Sequence, residues 1–193
     1  MEILIASGNS NKIKEFKELL DDKIFKIISP SQKILVEETG DTFLENGQLK
    51  AQAYYEKFKL PVLSDDSGLV VEKLPHDLGV RSARFGGEGL NDKDRAELLL
   101  KKLEGMEKDD RKACFVCVLC FYLNPQEIFF FEGRLNGYIA HKASGDEGFG
   151  YDPVFLPENS KKTLASNPAW KKQHSHRAKA CQKAAEFFAS RIS

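Results

Sequence analysis

The run KACFVCVLCFYL, Lys112 to Leu123, is followed across Asn124-Pro125 by EIFFFEGRLNGYIA, Glu127 to Ala140. These two stretches limit the fold more than any other feature of the chain. Both are apolar and rich in β-branched and aromatic residues, and turn-forming residues separate them, so they read as a long antiparallel hairpin with a buried first strand. Shorter elements alternate around it. Met1–Ala6 reads as a strand. Asn11–Leu20 reads as a helix, with Ile13, Phe16 and Leu20 at helical spacing, and Phe25–Ile28 as a second strand. Thr42 opens a long helix with Glu45 three residues on, a capping box, and that helix runs to about Phe58. PVLS reads as a strand ending in a DDSG turn, and LVVEKL as the next strand. Asp92 caps a helix to about Leu103 that turns Ala96, Leu99, Leu100 and Leu103 inward. Ser175 caps the last helix, which ends near Arg191. Strands in both directions with helices between them predict an α/β fold, a mixed sheet covered by helices.

Composition narrows the function classes. The 193 residues carry 29 Lys+Arg and 29 Asp+Glu, so no net field draws nucleic acid or an anionic membrane. No apolar run approaches the roughly 18 residues of a spanning helix. MEILIAS is too short and too acidic for a signal peptide and reads as a core strand, which predicts a cytoplasmic protein. Cys114, Cys117 and Cys120 have a C-x2-C-x2-C spacing that could suggest an iron–sulfur site. On a strand, however, Cys117 faces away from the other two, so three thiolates cannot converge. They read as small core hydrophobes.

Four constellations could carry chemistry. SGNSNK, Ser7–Gly8–Asn9–Ser10–Asn11–Lys12, lies between the first strand and the first helix. Amides at a helix N-terminus plus the Lys12 charge suit a phosphate, although the Walker pattern is absent; the plain alternative is a polar turn capped by Asn11. Glu37 and Glu38, Glu45 and Lys50, and the pair Asp65–Asp66 form an acidic set. Two adjacent aspartates make each other harder to ionise. A Mg²⁺ ion would cancel that repulsion, and Mg²⁺ takes hard carboxylates together with water and substrate phosphates. In GFGYDPVF, glycines frame Phe149 and Gly150 precedes Tyr151 and Asp152. The aromatics offer a face for a base and the Asp an acceptor for its edge; the alternative packs the aromatics inward, ahead of the strand PVF. Finally SHR, Ser175–His176–Arg177, with Lys171 and Lys172 upstream, could read polar atoms of a base or a phosphate, or simply cap a helix.

SGNSNK, EETGDTFLENG, DDSGLVV, GVRSARF, GFGYDPVF and SHRAKA follow one another in this order from Ser7 to Ala180. Together they resemble the inosine triphosphate pyrophosphatase family, which acts on non-canonical purine nucleoside triphosphates. The resemblance implies a single domain, 1–193, with an elongated mixed sheet flanked by helices and two lobes around a central cleft. It also implies a homodimer and a Mg²⁺ cofactor. The implied reaction cuts inosine, deoxyinosine or xanthosine triphosphate between the α and β phosphorus atoms, giving monophosphate and pyrophosphate and cleansing the nucleotide pool. Residue by residue, Ser7 to Lys12 and Lys50 match phosphate contacts. Asp66 matches the general base and a metal ligand, with Asp65 in support. The other metal carboxylate matches Glu38 or its neighbour Glu37. Ser67 matches a substrate contact, Phe149, Gly150, Tyr151 and Asp152 the base pocket, Lys171 the family's substrate-binding lysine five residues before the histidine of SHR, and His176 and Arg177 the readers of the 6-oxo group. The chain departs at Gly47, where the family often has Ala, at His76 and Asp77, where a small turn is typical, and at Arg81, where an aromatic residue is common.

Two rivals stand beside this reading. A Maf-like pyrophosphatase acting on pyrimidine nucleotides would carry a Ser-Pro-Arg-Arg-like signature where SGNSNK stands. A non-catalytic nucleotide sensor would not need the full set of carboxylates.

Overall fold

The computed structural model describes residues 1–192. Six strands form one sheet in the order β2-β1-β3-β4-β5-β6. They are β1 (Glu2–Ala6), β2 (Lys26–Ile28), β3 (Val62–Val71), β4 (Lys112–Asn124), β5 (Glu127–Ile139) and β6 (Phe155–Pro157). The helices are α1 (Ser10–Leu19), α2 (Phe43–Phe58), α3 (Asp92–Lys102), α4 (Pro168–His174) and α5 (His176–Ile192), with short 3₁₀ turns at Gly79–Arg84 and Lys108–Arg111. β1 pairs in parallel with β2 and with β3, and β5 pairs antiparallel with β6, so the sheet is mixed. The predicted hairpin is β4 and β5, joined by Pro125 and Gln126 alone.

By its contacts the chain divides into two compact units. The first holds residues 1–67, 117–133 and 176–193, the second 68–116 and 134–175. In the first unit, strand alternation sends Ile3, Ile5, Leu63 and Cys117 to one face, where they pack with Phe16 of α1 and Ala184 and Phe188 of α5. Leu4, Ala6, Val62 and Cys120 go to the other face, against Ala51 and Tyr54 of α2. Cys117 and Cys120 thus sit on opposite faces, as the strand period requires. The second unit has its own core, built on Leu69, Leu99, Leu103, Val154 and Phe155. Within it Arg111, 2% exposed, donates to three main-chain carbonyls: Leu103 (2.5 Å), Ala140 (2.6 Å) and Ile139 (2.7 Å).

Several local expectations shift. DDSG is no turn: β3 runs unbroken from Val62 to Val71 through it. Asn9, not Asn11, caps α1, accepting from the amides of Asn11 (2.9 Å) and Lys12 (3.2 Å). Asn91, not Asp92, caps α3. Ser175 ends α4, a helix the sequence reading lacked; it is only seven residues long and begins at Pro168, where a proline needs no amide partner. The capping box at Thr42 and Glu45 is as expected.

Candidate active site

β1 has β2 on one side and β3 on the other. In open α/β sheets ligands bind beyond the carboxyl ends of strands at such a point of reversal. SGNSNK leaves β1 there. The β1–β3 register closes with Ala6 opposite Ser64, so Asp65 and Asp66 begin where the pairing with β1 stops.

Successive residues on a strand face opposite ways, and this separates the two aspartates. Asp65, on the α1/α5 face, has Lys12 Nζ at 2.9 Å, the Ser67 hydroxyl donating at 3.0 Å and an Arg177 nitrogen at 3.4 Å. Burial alone would raise its pKa, but the charges of Lys12, Arg177 and Lys50 hold it well below the ordinary range. Asp66 is 6% exposed; its Oδ1 accepts the Ser67 amide at 3.1 Å, and its buried Oδ2 has no hydrogen-bond partner. Burial, partly opposed by Lys50 and reinforced by Glu38, pushes its pKa up from 3.8 to about 6. Two adjacent carboxyl groups therefore carry opposite chemistry, one a fixed anion and the other a buried group that ionises reluctantly.

The remaining phosphate and metal candidates of the first unit gather around this pair. Lys50 Nζ lies 2.7 Å from Glu38 and donates to the Asp65 carbonyl at 2.9 Å. Burial works against its charge, yet Asp65 and Glu38 hold its pKa above the ordinary value. Glu38 acts electrostatically on Asp66, whereas the neighbouring Glu37 is exposed. Gly8, Asn9, Ser10 and Asn11 are exposed at the start of α1, beside Ser7. Arg177, 1% exposed, is bound to Glu15 at 2.5 Å and to the Ser67 hydroxyl at 3.0 Å, so its guanidinium lies with the carboxylates; His176 is 5% exposed.

The base-pocket residues form a separate cluster in the second unit. Asp152 Oδ2 accepts from the Phe149 amide at 2.9 Å and pairs with Lys171 Nζ at 2.7 Å. The same ammonium lies 4.8 Å from the centre of the half-buried Phe149 ring. Gly148 has φ +84°, and a Cβ there would run into the Asp152 carboxyl, so the loop needs glycine. The Gly150 amide donates to Asp92 at 2.7 Å. Tyr151 is packed inward, its hydroxyl donating to the Ser82 carbonyl at 2.7 Å, so the aromatic face this loop can offer is that of Phe149.

Two residues of this arrangement escaped the sequence reading. Glu15 lies three residues after Lys12 on α1, and that spacing puts both side chains on one helix face. Gly133, an isolated glycine in a strand pattern, marks a close approach: a Cβ there would collide with the His176 carbonyl at the start of α5.

Within the first unit, a helix N-terminus with exposed residues and paired carboxylates at the sheet's switch point are the parts of a nucleotide-phosphate hydrolase type of site. The Ham1 family model matches residues 3–187, and the chain belongs to that family. It is 46% identical to the dITP/XTP pyrophosphatase of Aquifex aeolicus (strain VF5), over 95% of this chain and 94% of that protein. It is 40% identical to the dITP/XTP pyrophosphatase of Bacillus subtilis (strain 168), over 94% of each. The solved Ham1 protein of Staphylococcus aureus superposes with a TM-score of 0.87 at 39% identity, covering 99% of this chain and 100% of that one. A HAM1 protein from Coxiella burnetii does so at 0.87 and 36%, covering 98% and 99%.

Proposed function

We propose that this chain hydrolyses inosine, deoxyinosine and xanthosine triphosphates to the monophosphate and pyrophosphate, removing them from the nucleotide pool. The observation that carries the reading is Asp66, whose partnerless buried Oδ2 and raised pKa suit a proton acceptor on β3 just past the end of its pairing with β1. Relatives that align over nearly the whole chain are named dITP/XTP pyrophosphatases.

The donor set fits Mg²⁺: Asp66 and Glu38 are hard oxygen ligands, and the Oδ2 of Asp66 has no protein partner. Mg²⁺ held there would neutralise charge on the phosphate oxygens. Asp65 differs, because Lys12 and Arg177 already compensate it, and its role is to hold those cations in place. Lys12, Lys50 and the open amides at the start of α1 bind the triphosphate and offset the charge that builds in the transition state. Asp66 orients water and takes its proton as the water oxygen bonds to phosphorus in line. The P–O bond between the α and β phosphorus atoms breaks, and pyrophosphate departs with its electron pair. Phe149 stacks on the base, while the Asp152–Lys171 pair meets its edge. Donors opposite a 6-oxo group leave adenine, with an amine there, facing donor to donor. The same reading places a homodimer in the cytoplasm, without a nucleic-acid or membrane partner.

The test is pyrophosphate release with Mg²⁺ from inosine triphosphate beside ATP, GTP and a pyrimidine triphosphate, each with and without chelator. Chelator-sensitive release from inosine triphosphate far above the others is expected. Equal rates on all would overturn the base pocket, and no release from any would overturn the enzyme.

A further inference from the structure

A cavity lies within the second unit, and no residue of the base loop lines it. It holds about 300 Å³ and is lined by His76, Asp77, Arg81, Arg84, Phe85, Gly86 and Lys102. None of these residues has a part in the chemistry above, and His76, Asp77 and Arg81 are where the chain departs from the pattern it resembles.

The local structure explains why the positive charges converge. Ser82 is buried; its hydroxyl accepts the Leu69 amide at 2.9 Å, which pins the Gly79–Arg84 turn onto β3, and donates to the Gly79 carbonyl at 2.5 Å within the turn. That turn is 3₁₀, three residues per turn, so Arg81 and Arg84 stand one above the other on its outer side. Both are exposed. Lys102, at the C-terminal end of α3, reaches the same cavity and pairs with Asp77 at 2.6 Å. Asp77 therefore offsets Lys102, and the two guanidinium charges remain. Among the described residues neither has an ion-pair partner; Arg81 makes a single long bond, 3.4 Å, to the His76 carbonyl. Two stacked cations without a carboxylate repel each other, and an anion between them removes that cost.

We propose that this cavity is a binding site for a small, multiply charged phosphate anion, of the pyrophosphate or orthophosphate class, held by the paired forks of Arg81 and Arg84 with Lys102 beside them. Planar guanidinium forks match the oxygens of a phosphate two at a time. The volume lies at the lower end of ligand pockets, which suits an inorganic anion rather than a whole nucleoside triphosphate. An isolated pocket on a chain of zero net charge is the wrong shape for a nucleic-acid backbone, which needs a basic stripe. The base loop touches the turn that carries these arginines, through the Tyr151 hydroxyl on the Ser82 carbonyl at 2.7 Å, but none of its residues lines the cavity.

The experiment is a titration of the ¹⁵N-labelled full chain with sodium pyrophosphate, and separately with inorganic phosphate, in metal-stripped buffer. Sodium chloride at matched ionic strength is the control. Saturable amide shifts at His76, Asp77, Arg84 and Gly86 are expected with either anion and absent with chloride. Arg84→Ala should weaken binding read at these amides tenfold or more, Arg84→Lys should weaken it less, and shifts at Ser7 to Lys12 should be unchanged in both variants. Shifts confined to Ser7–Lys12, pocket shifts reproduced by chloride, or pocket affinity untouched by Arg84→Ala would each overturn the proposal, and none of these results bears on the hydrolase reading.

Discussion

Asp66→Asn separates the cost of burying a carboxylate from its use. The folded-state pKa of Asp66 is raised from 3.8 to about 6, chiefly by burial. A raised carboxyl pKa means that ionisation opposes folding. The penalty is absent below the unfolded pKa, grows between about pH 4 and 6, and is complete above pH 6. A rise from 3.8 to about 6 corresponds to about 3 kcal/mol at pH 7.5 and well under 1 kcal/mol at pH 4. Asn keeps an oxygen where Oδ1 accepts the Ser67 amide and leaves the other position polar but uncharged, much like the protonated acid. In metal-stripped buffer the variant should therefore match wild type at pH 4 and exceed it by about 2–3 kcal/mol at pH 7.5. With a urea slope of about 2 kcal/mol per M, the unfolding midpoint rises by about 1 M or more. Mg²⁺ should stabilise the wild type and leave the variant unmoved, and turnover should fall about 10²–10⁴-fold. A variant less stable than wild type at pH 7.5, or a gap that does not change with pH, would refute the burial argument. Unchanged turnover would refute the role given to Asp66.

Three further outcomes follow from single contacts. Gly47 sits inside α2, and a Cβ there would meet nothing nearer than 3.7 Å, so Gly47→Ala should stabilise the protein by roughly 1 kcal/mol in urea unfolding. Arg111→Leu strands three main-chain carbonyls that the buried guanidinium now satisfies, and should cost about 3–5 kcal/mol by the same assay. Burial pushes the Cys117 and Cys120 thiols up to about 12, so under native conditions at pH 8 iodoacetamide should label the half-buried Cys114 first and leave the other two unmodified until urea is added, as read by mass spectrometry.

Periodicity and capping made most of the fold legible: the hairpin of β4 and β5, the α2 capping box and the opposed cysteines are all properties of short windows. Windows failed where distant residues decide. Two aspartates, a serine and a glycine have turn chemistry, yet β3 passes straight through them, because Lys12, Lys50 and Arg177 arrive from three other elements to compensate what a strand interior would otherwise reject. The caps at Asn9 and Asn91 were displaced by one or two residues for a smaller reason, since each lies beside another residue able to cap. α4 escaped because seven residues are too few to show a helical period. At the site, residue types were readable but partners were not. Arg177 looked like a reader of the base and is found bound to Glu15 and Asp65, and Tyr151 looked like a stacking face and is found packed inward.

The adjacent acids are best understood as a division of labour imposed by the strand. One residue of chain separation reverses the face. On one face, Asp65 meets two helices that each bring a cation, and it remains an anion across the physiological range. On the other, Asp66 meets the α2 side, where Lys50 is already shared with Glu38, and its outer oxygen meets no protein donor. Environments that push two neighbouring carboxyl pKa values apart are how a protein assigns one group to hold charge and the other to move a proton. A turn at DDSG would free both side chains to the same solvent and erase that difference. The unbroken strand is therefore part of the chemistry, and the two acids are not interchangeable: Asp65→Asn should loosen Lys12 and Arg177 and weaken metal-free triphosphate binding, whereas Asp66→Asn should retain metal-free binding and remove the proton acceptor.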